Sequence, residues 1–135
     1  MSTVTITQAF APSTAEPERL FQNVVTIANA GAASITAFKF RRALDFDVPP
    51  SLFSEYITEQ GWPIGTIEQW CDNGFDDLDI VVSPTMSPLT PATLNANVTD
   101  NGLADHGFEI EFDCGTIAAG ASASFIEFYG ATTNE

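Results

Sequence analysis

Clustered acids are the residues of this chain best suited to chemistry. Asp45 and Asp47 close an extended stretch, Asp72, Asn73, Asp76, Asp77 and Asp79 crowd a polar loop, and Asp100, Asn101 and Asp105 form a third group. Ca²⁺ takes about six to eight oxygen ligands, which clustered carboxylates and loop carbonyls can supply. Asp45, Asp47, Asp100 and Asp105 are the candidates for such a site, with Asp45 and Asp47 favoured because alternate strand positions put both on one face. Residues 72–79 do not fit an EF-hand: Gly74 stands at the third position and no Glu closes the loop. The competing reading is that these Asp and Asn residues shape turns and bond to their own backbone.

Other reactive side chains are isolated. His106 stands beside Asp105, yet no G-x-S-x-G elbow is present and nothing marks a serine as activated, so a loop histidine bonded to a carbonyl or carboxylate is the reading for it. No catalytic set is expected. Cys71 and Cys114 lack metal-ligand spacing; one disulfide between distant strands and two buried thiols both fit them. Arg41 and Arg42 are adjacent on an extended stretch and point to opposite faces. One of them is expected inside, paired with Asp45, Asp47 or Asp105. Tyr56, Trp62 and Trp70 lie in the loop-rich middle, where aromatics can stack on sugars or pack the ends of a core.

Strands must position these residues. Thr3–Phe10 and Leu20–Ala28 alternate β-branched and polar residues and predict two strands. Asn29–Ser34 carries turn chemistry, so Ile35–Arg42 is expected to return as the partner of the second strand in a hairpin. Tyr56 falls in a short extended stretch, and Thr66–Cys71 predicts another strand. Ser83–Pro91, with three prolines, predicts an edge crossing. Thr93–Val98 reads as a weak strand and Thr99–Gly107 as a loop. In the clearest strand Phe108, Ile110 and Phe112 face in, with Glu109, Glu111 and Asp113 facing out. Gly115–Ala121 then turns the chain into Ser122–Tyr129. No segment of helical length keeps a 3.6-residue period. About seven to nine strands, in one domain over residues 1–135, predict an all-β antiparallel sandwich.

Four Lys and Arg stand against eighteen Asp and Glu, for a net charge of −14. Such a surface repels phosphate backbones and anionic membrane surfaces, which argues against nucleic-acid binding, and it favours cations or basic partners. No apolar run approaches the ~20 residues of a membrane helix, so no membrane insertion is expected. The opening MSTVTITQAF lacks the basic and apolar regions of a Sec signal.

Two stretches carry a resemblance. Val25, Thr26, Ile27, Asn29 and Gly31 near the start, with Gly115, Ile117, Ala118, Gly120 and Ser122 near the end, resemble the Ig-like β-sandwich domains of bacterial surface and secreted proteins, including CARDB-like conserved-repeat modules. RRALDFDVPP, DNGF and DNGLADHG are similar to stretches of secreted bacterial modules. The resemblance covers both ends of the chain and leaves residues 50–100 largely unmatched. It implies an Ig-like fold and a non-enzymatic structural or adhesive module, extracellular or on a cell surface. Protein partners or self-assembly by strand edges would follow. The alternatives are a virion or filament subunit made in the cytoplasm, which suits the absent signal, and a carbohydrate-binding module.

Overall fold

The computed structural model describes residues 3–47, 49–50, 52–59, 67–71, 87–88, 98–105 and 107–131. Among them every regular element is a β-strand, every pairing is antiparallel, and no helix occurs. The chain divides into two compact units, one formed by Met1–Phe38 with Gly115–Glu135 and the other by Lys39–Cys114.

The first unit is a three-stranded sheet in the order β1 (Val4–Pro12), β2 (Leu20–Asn29), β9 (Ser122–Gly130). Val4, Thr5, Ile6 and Thr7 are β-branched and favour the extended backbone of β1. Residues 13–19 join β1 to β2, where Ser13 N donates to Leu20 O at 2.8 Å and Ser13 Oγ accepts from Ala15 N. Asn23, Val25, Ile27 and Asn29 line one face of β2 and are buried, while β1 is exposed along its whole length. Ile117 is buried in the same unit and bridges Ile35.

The direction of the backbone groups along β1 follows from its register. Residues that exchange both bonds with a partner alternate with residues that exchange none. Ala30 N donates to Thr3 O just before β1, Ser13 N donates to Leu20 O just after it, and pairing runs unbroken from Val4↔Asn29 to Pro12↔Phe21. The odd-numbered residues of β1 therefore bond to β2. Val4, Ile6, Gln8 and Phe10 aim their backbone N–H and C=O away from it.

The expected hairpin between the second strand and Ile35–Arg42 does not form. β2 pairs with β1 and β9, and β3 begins at Lys39 and pairs with β8. The Asn29 side chain bonds across the turn instead. Its Nδ2 donates to Ala33 O, Ile117 O and Ala118 O at 2.8, 3.0 and 3.2 Å, and its Oδ1 accepts from Gly31 N at 2.9 Å. The turn is thereby tied to the segment before β9, and Ala37, at φ 51°, interrupts the extended chain before Lys39. Gly120 lies at the third position of the turn closed by Ala121 N donating to Ala118 O, and its φ of 73° suits the type II turn that favours glycine there.

The second unit holds β3 (Lys39–Asp45), β8 (Gly107–Asp113), β5 (Ile67–Cys71) and β6 (Ser87–Pro88) in one sheet, in that order. β4 (Glu55–Glu59) and β7 (Val98–Ala104) form a separate pair. Phe40 and Phe112 are register partners with ring centroids 6.3 Å apart, and Phe112 and Ile57 are buried. β6 sits at the sheet edge, where a Pro residue is tolerated. Residues 99–104, expected as loop, are strand. Their Asp-Asn-Gly content has weak strand propensity, and pairing with β4, through two register shifts, overrides it.

Asn29→Asp would replace the donor of three hydrogen bonds with a carboxylate facing three carbonyl oxygens. Urea unfolding should show a loss of about 3 kcal/mol or more for it, above that of Asn29→Ala. Equal stability of Asn29→Asp and the unchanged chain would contradict the tether.

Candidate functional site

The ends of β3, β7 and β8 bring acids together. β3 ends at Asp45, whose register partner is Gly107, and β7 ends at Ala104, whose partner is Glu55. The connection from β7 to β8 therefore carries Asp105 to the end of β3. Carboxylate oxygens of Asp45, Asp47 and Asp105 all lie within 4.8 Å of one another. Asp47 Oδ1 also accepts from Phe53 N at 3.1 Å. Three acids give a divalent cation part of its oxygen shell, and loop carbonyls and water complete such shells in proteins. Of the four acids expected to cooperate, the structure joins Asp45, Asp47 and Asp105; Asp100 is in β7, and its side chain lies outside the described residues.

Two cations of β3 share one carboxylate on β8. Arg41 Nη2 donates to Glu111 Oε2 at 2.8 Å, and Lys39 Nζ donates to Glu111 Oε1 at 3.0 Å. Arg42, on the other face of β3, stands opposite Ile110. Glu111 was expected to face solvent from the alternation of β8, but it is buried, because Lys39 and Arg41 flank its face from β3. Burial pushes its carboxyl up. The hydrogen bonds from Arg41 and Lys39, and then their charges, outweigh burial and hold it below the ordinary glutamate value of 4.5.

The cysteine bridge is also corrected. Cys114 is a free thiol. Cys71 stands opposite Glu109, five residues along the strand from Cys114, and a rise of about 3.3 Å per residue separates the two by about 16 Å, beyond the reach of a disulfide. Burial and the neighbouring Asp113 push the Cys114 thiol up, so it is a poor nucleophile at neutral pH. Among the aromatics, Tyr56 is 63% exposed on β4. Trp70 lies in β5 with its side chain outside the described residues, and Trp62 and His106 are outside them altogether.

Two features were not anticipated. On the buried face of the first unit Asn23 Nδ2 donates to Gln8 Oε1 and Glu127 Oε2, both at 3.1 Å, and Tyr129 O–H donates to Glu127. The only signal in the sequence was a polar residue at an alternate position of each of three apolar strands. Glu55, buried at the head of β4, has neither carboxylate oxygen hydrogen-bonded; nothing in EYITE distinguishes it from an exposed acid. No helix among the described residues is long and apolar enough to cross a membrane. Comparison with family models, curated proteins and solved structures found no match.

Because the folded carboxyl of Glu111 sits below its ordinary value, its ion pair contributes fully above that value and is lost as pH falls through the folded one. Glu111→Gln should lower stability by about 1–3 kcal/mol near neutral pH, and thermal melts should show its deficit shrinking below about pH 4.5. A deficit that stays constant down to pH 3 would remove the ion pair as its cause. The melting temperatures of the unchanged chain and of Asp105→Asn test whether the cluster at the end of β3 holds a cation. Millimolar Ca²⁺ should raise that of the unchanged chain and leave the variant nearly unmoved. No Ca²⁺ shift in the unchanged chain would exclude a cation from this cluster.

Proposed function

We propose that the chain is a non-enzymatic structural or adhesive module of a secreted or surface assembly, built as an Ig-like β-sandwich and acting through strand edges. One observation carries the reading. β1 is an edge strand of nine residues, exposed throughout, and none of the nine is charged in a chain of net charge −14. Proteins that stay apart guard such edges with charges, bulges or short strands. A long neutral edge suits strand addition, in which backbone hydrogen bonds supply the contact. The Ig-like part of the reading draws support from Asn29 and Gly120: the two stretches that carry the resemblance meet where Gly120 N donates to Asn29 O at 2.9 Å. A Ca²⁺-stabilised end at Asp45, Asp47 and Asp105 belongs to the same proposal.

A virion or filament subunit made in the cytoplasm uses the same edge and differs only in where assembly takes place. Among the described residues, sugar binding draws on the exposed ring of Tyr56. Fractionation of the source cells tests the reading. The chain should sediment with surface material or filaments and be labelled by antibody on intact cells or particles. Recovery solely as a soluble, low-mass interior protein would overturn it.

A further inference from the structure

β1 carries information about what would cover it. Its nine residues are close to symmetric about Gln8 in kind: Thr7 and Ala9 are small, Ile6 and Phe10 large and apolar, Thr5 and Ala11 small, Val4 and Pro12 apolar. Val4, Ile6 and Phe10 are 36%, 46% and 58% exposed. Their backbone groups are the ones turned away from β2 by the β1–β2 register. Their side chains share the face of the buried Val25 and Ile27, because register partners lie on one face of a sheet.

We propose that β1 pairs antiparallel with β1 of a second copy about a two-fold axis through Gln8, joining the two three-stranded sheets into one of six strands. In this register Ile6 exchanges both backbone bonds with Phe10 of the other copy, and Gln8 does so with its own mate. Val4 N–H donates to the Pro12 carbonyl of the other copy, so the missing N–H of Pro12 leaves only the end of the ladder open. Apolar side chains oppose apolar ones on one face. On the other, Thr5 meets Ala11 and Thr7 meets Ala9 in the closely spaced, non-hydrogen-bonded pairs where small side chains fit. No charge is buried. Moving the axis to Thr7 would set Ile6 against Gln8 and shorten the overlap, so the axis at Gln8 is the favoured one.

Closure about a two-fold axis also separates this contact from pairing between β1 and β9. The outward backbone groups of β9 belong to Ser122, Ser124, Ile126, Phe128 and Gly130, since Asn29 N donates to Ala121 O and the register alternates from there. Their side chains lie on the face opposite to that of Val4 and Ile6, as the contact between Thr26 Oγ1 and Ser124 Oγ at 3.0 Å places them. Joining β1 to β9 would turn every second copy over and would continue without end.

A single-edge contact is small, so the dimer is weak, with Kd on the order of tens to hundreds of micromolar. Two bodies of net charge −14 repel, and salt screens that repulsion, so association tightens as ionic strength rises. The inference rests on β1 being an open edge, and two measurements keep the questions apart. Sedimentation from about 10 µM to 1 mM chain, in low salt and in about 0.5 M salt, should show the mass rising from 14.5 kDa toward twice that value, at lower concentration in high salt. Residue-resolved amide exchange should show Thr5, Thr7 and Ala9 protected throughout, and Val4, Ile6 and Phe10 protected only as the dimer forms. Ile6→Pro removes an outward N–H and no bond to β2; it should keep the fold by circular dichroism and weaken the dimer at least tenfold, while Ile6→Val keeps it. Gln8→Lys, which sets two ammonium groups face to face on the axis, should weaken it likewise. A mass fixed at one copy with Val4, Ile6 and Phe10 exchanging freely overturns the dimer and leaves the open edge standing. Protection of those three amides in dilute protein overturns the open edge itself. Dimerisation unchanged in both weakening variants, or mass climbing past two copies, overturns the two-fold pairing.

Discussion

The first unit depends on how one buried amide is satisfied. Asn29 ends β2, and each polar atom of its side chain bonds to backbone: one donor to its own turn, further bonds to the segment between Gly115 and β9, and an oxygen that caps Gly31. Ile117 O and Ala118 O also accept from Ile35 N and Ala121 N, so what the amide adds is the link between its own turn and the segment before β9. That tether aligns the start of β9 with the end of β2, and the register of the β2–β9 ladder follows from it. The burial of Val25 and Ile27 on the adjoining stretch of β2 depends on the same alignment.

Charge is distributed by need. Lys39 and Arg41 are two of four cations among eighteen acids, yet both serve Glu111. A buried carboxylate must be compensated, whereas an exposed one is stabilised by solvent. The converse holds at β1, where the acidic surplus stops. A second acidic chain can approach a neutral strand more closely than a charged one.

Strand positions were legible in the chain and strand partners were not. Alternation in TVTITQAF, LFQNVVTIA and SASFIEFY marks β1, β2 and β9 to within a few residues, because side-chain period reports on the local backbone. Asn29 shows the limit. Its type and its neighbour Gly31 signal a turn, but the acceptors that decide where the chain goes next lie 88 and 89 residues away. Glu111 shows another, since alternation gives the face of a residue and not what covers that face. At the acidic cluster the pairing of Asp45 with Asp47 could be read from spacing, whereas Asp105 joins them through the β3–β8 register. The mixed content of residues 99–104 favoured a loop, and only partnership with β4 makes them a strand.

The first unit is assembled from both ends of the sequence, with the second unit lying between them. Asn23 meets Glu127, 104 positions further along the chain. On the ribosome β1 and β2 emerge before β9, and β2 keeps one flank bare until β9 arrives. Closing so long a loop is slow relative to local pairing. Meanwhile the newborn hairpin has exposed backbone on two sides, and a nascent chain of this kind is open to trapping by chaperones or by neighbours on the same message.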